Sequence, residues 1–319
     1  MAMSADLMLL PRRYPVFVLL IVLLLAASLI TPAVLSPENI ITAIRQYAVI
    51  GIMALGVTFV VIGGRVDVSI GSLLSVLVVV IISLHDKVGA ILAVCAGVSI
   101  AAVVGTINGF LVAYLRLNSL IVTLGMLTAL QGVANVASAG ILNRVMDPEA
   151  SWFKVFGRSF FLGVPVSVWI FGGFALLCAL ALGKTNFGRS LRAVGGNETG
   201  SVFSSINARW TIFITFLIAS LLTAMAAIVF ASYAMAAPYN SGTGLEMTVL
   251  ASIFLGGTSI GGGVGGIGRT VIGVIVLAFL ANGMILVGMP IQAQWLVSCI
   301  IIIAAVLLDT FARRGTLLA

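Results

Sequence analysis

Residues 261–270 read GGGVGGIGRT and allow two opposing predictions for the fold of this chain. Gly263, Gly265 and Gly268 spell the G-x-G-x-x-G fingerprint of dinucleotide-binding folds, and residues 263–270 are one substitution away from the P-loop pattern G-x-x-x-x-G-K-[ST]. A nucleotide site requires a β-strand before such glycines and a soluble helix after them. Here both flanks are apolar and long, which favours tight turns and close helix packing inside a membrane protein.

Two further details argue against a nucleotide. Arg269 stands where the P-loop lysine would neutralise a phosphate. No Asp or Glu follows within about 20 residues, where the dinucleotide fold places its ribose ligand. We therefore predict that this chain binds no nucleotide and no other cofactor.

The composition predicts an integral membrane protein. Of 319 residues, 61% are hydrophobic and 8% are charged, and the mean hydropathy is +1.27. A soluble protein carries about 25% charged residues, so there are too few polar side chains here to cover a water-exposed surface. The net charge of +7 then indicates basic cytoplasmic loops and not a nucleic-acid partner. The single histidine and three dispersed cysteines predict neither a metal site nor a redox motif.

The hydropathy pattern predicts an all-α, polytopic fold with about ten transmembrane helices. A helix needs about 20 apolar residues to cross the bilayer core. Segments of about that length are 14–35, 47–63, 68–84, 88–115, 120–138, 164–182, 210–235, 246–261, 270–287 and 292–308.

The basic residues predict the orientation, because cytoplasmic loops carry an excess of Lys and Arg. With both termini cytoplasmic, five of the sixteen basic residues lie outside, accompanied by four acids. The other eleven lie inside: Arg12, Arg13, Arg65, Arg116, Lys184, Arg189, Arg192, Arg209, Arg269, Arg313 and Arg314. We expect one transmembrane domain, residues 1–319, with the first span at 14–35, a first half of the core at 47–138, an outer loop at 139–163, a cytoplasmic loop at 183–209 and a second half of the core at 210–308.

Two glycine-rich stretches interrupt the apolar pattern. Residues 61–72, VIGGRVDVSIGS, and residues 256–268 each join apolar segments through glycines and polar side chains. Tight helical hairpins explain both stretches. Two discontinuous or re-entrant segments beside a translocation path, one in each of two repeats, explain them as well. Asn108 and Asn282, deep in later spans of each half, agree with the second interpretation.

Five stretches together resemble the permease subunits of ribose/galactose/xylose-type ABC importers. In chain order they are GGRVDVSIGS (63–72), GTINGFLVAYLRLNSLIVTLGML (105–127), FGRSLRAVGGNETGSVFSSINA (187–208), LGGTSIGGG (255–263) and ANGMILVGMP (281–290). The resemblance extends over residues 47–309. It implies a bacterial inner-membrane permease that pairs with a second permease subunit. Two cytoplasmic ATPase subunits drive such a permease, and a periplasmic or lipid-anchored binding protein delivers the sugar.

The resemblance also implies roles for individual residues. The cytoplasmic loop would contact the ATPase through Ser204, Ser205, Ile206 and Asn207, with Ser205 in the place of the usual glycine. The first motif matches the family at Asp67 and Ser69, whereas Arg65 replaces its second glycine. An ion pair of Arg65 with Asp67 and a snorkelling Arg65 at the membrane surface are both open. Our candidates for the translocation path are Asp67, Ser69, Asn108 and Asn282.

Other functions remain to be distinguished. The same architecture could import a branched-chain amino acid, a nucleoside or a furanose-type signal. An ion-coupled secondary transporter would need an intramembrane titratable group, for which Asp67 and Glu246 are the candidates. A purely structural membrane subunit would have no use for paired broken segments.

Overall fold

The computed structural model describes residues 36–290 together with positions 293, 296, 297, 300 and 303. The predicted span 14–35 and most of the predicted span 292–308 lie outside the described residues, as do both termini.

Helices dominate the described part of the chain. They are α1 Pro37–Ile62, α2 Ile70–Val88, α3 Ala90–Ala113, α4 Ser119–Ser138, α5 Val155–Arg158, α6 Val166–Lys184, α7 Asn186–Gly196, α8 Glu198–Phe203, α9 Ala208–Ala234, α10 Leu245–Leu255 and α11 Ile267–Leu286. A 3₁₀ turn, Trp152–Lys154, precedes α5. Two antiparallel pairs of two-residue strands join β1 Asn143–Arg144 to β4 Ala236–Ala237, and β2 Phe160–Phe161 to β3 Val164–Pro165.

Seven of the described helices are long and apolar enough to cross a membrane: α1, α2, α3, α4, α6, α9 and α11. They occupy the positions of seven predicted spans. The predicted span 246–261 is wrong, because α10 has 11 residues and reaches only about 16 Å, half of a bilayer core of about 30 Å. The described residues therefore support a polytopic helical protein, but not a count of ten spans.

Helix α1 begins earlier than the apolar pattern predicts. Its first residue is Pro37, ten positions before the predicted start at residue 47. The side chain of Ser36 accepts a hydrogen bond from the Asn39 N–H (3.3 Å), Pro37 is pre-organised for the first turn, and Glu38 faces the positive helix end. These capping signals extend the helix into a polar stretch that hydropathy assigns to a loop.

Helices α1, α2 and α9 form the centre of the bundle. In the most apolar 18-residue stretch of each helix, 78% of the residues are buried in α1 and 67% in both α2 and α9, but only 17% in α4 and 22% in α6. Small residues allow the close approach: a side chain on Gly56 would lie 2.8 Å from the Ala219 backbone, and one on Gly109 would lie 3.0 Å from Phe213. The exposed faces of α4 and α6, like that of α3, are available for lipid or a partner.

The two glycine-rich stretches differ in structure. Residues 63–69 form a non-helical link between α1 and α2. Helix α9 packs against both α1 and α2, but α1 and α2 have little contact with each other. They are therefore not a hairpin. Residues 256–266 instead connect α10 and α11, which pack directly against each other. The hairpin interpretation is right for this second stretch, and the predicted discontinuity at 256–268 is wrong.

The second discontinuous segment lies earlier in the chain, before α10. Ala236 and Ala237 pair with β1, at the end of the bundle that carries residues 139–163. By Gly242 the chain has reached the start of α2, where the Gly242 N–H donates to Ser75 Oγ (2.9 Å). Helix α10 then runs to Leu255. Gly256, which follows it, packs on the backbone of Arg269 at the end of the bundle opposite residues 139–163. The predicted span 246–261 thus corresponds to a half-length helix, which follows the extended stretch and ends in the loop that begins at residue 256.

Candidate functional site

After the sequence predictions for residues 183–209 and 139–163, we call the end of the bundle that carries the first segment the coupling end and the end that carries the second the outer end. A buried polar cluster of Asp67, Ser69 and Asn108 lies near the coupling end. Asp67 Oδ1 accepts hydrogen bonds from the Ser69 N–H (2.9 Å) and the Ser69 hydroxyl (2.6 Å). Asn108 Nδ2 donates to Ser69 Oγ (3.0 Å). Three of the four predicted path residues therefore meet in one cluster, contributed by segment 63–69 and α3.

The cluster retains a fully buried acceptor without a partner in the described part of the chain. Asn108 is 1% exposed, and its Oδ1 has no hydrogen-bond partner among the described residues. A buried carbonyl oxygen without a partner costs free energy unless water or a ligand donates to it. A neutral ligand rich in hydroxyl groups can supply that donor.

Segment 63–69 is fixed by α4. The N–H groups of residues 63–65 still donate to carbonyls in the last turns of α1. Beyond them side chains of α4 take over: Val66 N–H donates to Ser119 Oγ (3.2 Å) and Val68 N–H to Thr123 Oγ1 (3.3 Å). These bonds hold Asp67 in place although it lies outside regular structure.

Residues 235–255, which we call the re-entrant segment after the sequence prediction, pack against the first turns of α2. Glu246, in the first turn of α10, is 8% exposed, and its Oε1 accepts from the Gly244 N–H (3.2 Å). Its Oε2, which has no partner among the described residues, lies against Gly71, where any larger side chain would collide with it. Gln131 of α4 links to the segment through the carbonyl of Tyr239 (3.4 Å). Sequence reasoning missed this segment, although its turn-forming letters, APYNSGTG at 237–244, interrupt the apolar pattern.

The fourth predicted path residue lies elsewhere. Asn282 of α11 exchanges two side-chain hydrogen bonds with Asn39 of α1, at 2.7 and 3.0 Å. This pair joins α11 to the first turn of α1, and the structure does not bring it together with Asp67, Ser69 and Asn108. Its role in the path stays a prediction.

Arg65 does not pair with Asp67. Its Nη2 lies 2.6 Å from Glu198 Oε2, and its Nη1 donates to the Gly64 carbonyl (3.2 Å). Glu198 belongs to the cytoplasmic loop of the sequence prediction, so this ion pair fixes Arg65 at the coupling end. It also borders an open cavity of about 730 Å³ whose other lining residues include Arg116, Asn118, Ser119 and Thr199.

The predicted coupling residues form the turn between α8 and α9. Ser204 caps α8, and Asn207 caps α9 by accepting from the Trp210 N–H (3.0 Å). Ser205 between them has a φ of +62°, in the left-handed region that glycine adopts without strain. Ile206 is half-buried against the core, whereas Phe203 is 88% exposed. Within α8 and this turn, the exposed apolar side chains are therefore Phe203 and Val202, whereas Ile206 is partly covered by the core.

The glycines of residues 261–270 complete the coupling end. The Gly263 N–H donates to the Ile62 carbonyl (2.8 Å), and Gly262 packs on the backbone of Gly64 and Gly195. Three chain segments meet here at a spacing that excludes side chains. The stretch is a packing device, as the apolar flanks predict.

The outer end carries an aromatic loop bound to α9. Ser232 Oγ accepts from the Gly157 N–H (2.8 Å) and donates to the Phe153 carbonyl (2.6 Å). On its surface, hydrogen bonding from Lys154 and the charge of that side chain lower the pKa of Glu149. Trp152 and Phe161 remain more than half exposed, which suits a surface that meets a partner.

Comparison with known proteins extends these observations. The family described as branched-chain amino acid transport system / permease component matches residues 39–306. The chain is 36% identical over 292 residues to the ribose import permease protein RbsC of Escherichia coli K12, covering 91% of each chain. It is also 36% identical over 296 residues to RbsC of Bacillus subtilis, covering 92% of this chain and 91% of that protein.

A third relative, the L-arabinose ABC transporter permease protein AraH of Azospirillum brasilense, is 33% identical over 305 residues, which cover 95% of this chain and 89% of that protein. No solved structure matches the chain. The resemblance found in the five sequence motifs is confirmed.

Proposed function

We infer the function from one premise, which is that the chain belongs to the family of branched-chain amino acid transport system permease components. It is a multi-pass inner-membrane permease subunit of an ABC importer, and ATP hydrolysis lies in separate ATPase subunits. Membership in this family argues against the ion-coupled secondary transporter considered from the sequence.

The cargo we propose is a pentose-class sugar. The observation that supports it is similarity along nearly the whole length of permeases for ribose and arabinose, with both chains covered. The chemistry of the buried polar residues agrees. Among the described residues, the buried polar side chains are Ser, Thr and Asn together with Asp67 and Glu246, and none is Lys or Arg. A branched-chain amino acid carries a carboxylate, for which cationic side chains or helix N-termini are the usual partners, whereas sugars bind hydroxyls and amides.

The assembly we propose has two permease subunits, two ATPase subunits and a periplasmic or lipid-anchored binding protein. The coupling end would meet the ATPase through α8 and the turn 204–207. The outer end would receive the binding protein. Asp67, Ser69 and Asn108 would contact the sugar near the inner end of its path, with the free Oδ1 of Asn108 accepting from a hydroxyl group.

A substitution at Phe203 tests the coupling contact. Burying a phenylalanine side chain against a partner contributes about 1.5–3 kcal/mol, which Phe203→Asp would lose while adding an unpaired charge. We expect the variant to insert in the membrane but to lose at least about tenfold of its sugar-stimulated ATP turnover. Thr199→Asp, which adds the same charge on the same helix, is the control and should retain most activity. Normal turnover by Phe203→Asp would exclude Phe203 from the contact.

A further inference from the structure

The ion pair of Arg65 and Glu198 joins two parts of the molecule that the proposed function treats separately. Arg65 belongs to segment 63–69, and Glu198 begins α8. Among the described residues, the other ion pairs are between residues of the outer loop or between neighbours in sequence. This pair spans 133 positions of the chain.

Within segment 63–69, Arg65 is connected to the polar cluster through only a few residues. The next residue, Val66, is bonded to Ser119, and the one after it is Asp67. Asp67 holds Ser69 through two hydrogen bonds, and Ser69 in turn holds the amide of Asn108. Packed and bonded groups of this kind move together instead of deforming independently.

On the other side, Glu198 and Phe203 are the two ends of one six-residue helix. That helix is about 9 Å long and is capped by Asn197, whose side chain accepts from the Gly200 N–H (2.8 Å). A force applied at the exposed Phe203 therefore reaches Glu198 through a rigid element.

The pair has room to shift. Its side chains are 30% and 42% exposed, and the open cavity of about 730 Å³ lies beside it. Exposed ion pairs contribute little to folding stability. Arg116 is the other charged residue that lines the cavity, and it makes no ion pair with a described residue.

We propose that Arg65 and Glu198 form a positioning link that carries movement of α8 to the cluster of Asp67, Ser69 and Asn108. Neither side chain needs to touch the sugar. The inference rests on the proposed function, because it supplies a connection between the ATPase contact and the path.

Charge exchange in the full importer tests the link. The chain is reconstituted with its ATPase and binding protein in liposomes, and the ATP turnover stimulated by the loaded binding protein is measured. We expect Arg65→Glu and Glu198→Arg each to lower the stimulation about tenfold, in the range of typical coupling energies. The double variant, Arg65→Glu with Glu198→Arg, restores opposite charges and should recover most of the stimulation.

Three further measurements make the result decisive. Arg65→Gln and Glu198→Gln remove the pair without repulsion and should reduce stimulation while the thermal unfolding midpoint and ATPase binding stay unchanged. Arg116→Glu, which changes the charge of the same cavity, should keep the stimulation. Single variants with normal stimulation, or a double variant no better than the singles, would overturn the link. An unsubstituted complex without stimulation would overturn the proposed function itself.

Discussion

Gly263→Ala is the substitution that most sharply separates the packing role of residues 261–270 from a nucleotide-binding role. Gly263 has a φ of +73°, which costs an L-residue about 1–2 kcal/mol. The added methyl group would also lie 2.9 Å from the Cα and N of Gly196, and overpacking of this kind costs about 1–3 kcal/mol. The expected loss of unfolding free energy is therefore about 2–5 kcal/mol.

Gly268 of the same motif provides the control. It lies in the first turn of α11, and a methyl group there would meet no atom within 4 Å. Gly268→Ala should be neutral or stabilise the helix by up to about 1 kcal/mol. In detergent, the thermal unfolding midpoint of Gly263→Ala should fall by at least about 4 °C, and that of Gly268→Ala should not fall. Equal effects of the two substitutions, or saturable Mg²⁺-dependent ATP labelling of the isolated chain, would refute the packing account.

Three further predictions concern other parts of the chain. Ser205 has a φ of +62°, which glycine adopts freely and a β-branched residue rarely does. Ser205→Gly should therefore keep the thermal unfolding midpoint and the transport rate, whereas Ser205→Val should lower both; a more stable valine variant would contradict the turn geometry. In a denaturation series, Asn282→Ala should lower the free energy of unfolding by about 0.6–1.7 kcal/mol. Adding Asn39→Ala should cause little further loss, because the same two hydrogen bonds are already broken, whereas full additivity would show that the amides do not interact. Reporter fusions after Ser151 should report the outside and fusions after Glu198 the inside; an inside signal at Ser151 would reverse the orientation.

The membrane class and most of the helices could be predicted because both follow from continuous local patterns. Seven predicted spans coincide with helices of membrane-crossing length. The predicted span 246–261 failed because hydropathy reports apolar side chains but not where a helix ends: α10 ends at Leu255, and residues 256–261 are not helical. The re-entrant chain at 235–244 is stabilised by distant partners such as Ser75 and Gln131, which a local pattern does not reveal.

The sequence predicted most of the residues of the candidate site but not which of them contact each other. Asp67 and Ser69 are two positions apart in one motif, and Asn108 joins them through a contact across 39 residues. Asn282 carries the same sequence signal as Asn108, a polar residue before glycine in an apolar span, yet it bonds to Asn39. Arg65 pairs with Glu198, 133 residues away, and not with the nearby Asp67, because the tertiary fold determines which charged side chains come into contact.

The central claim is ATP-driven sugar import, and uptake by the reconstituted importer tests it most directly. The chain, its ATPase and its binding protein are placed in liposomes, and accumulation of labelled ribose, arabinose and leucine is compared with and without internal ATP. The account predicts that a pentose accumulates only when ATP and both partner proteins are present, and that leucine does not. Accumulation of leucine in place of a pentose, or pentose uptake driven by an ion gradient without the ATPase, would contradict it.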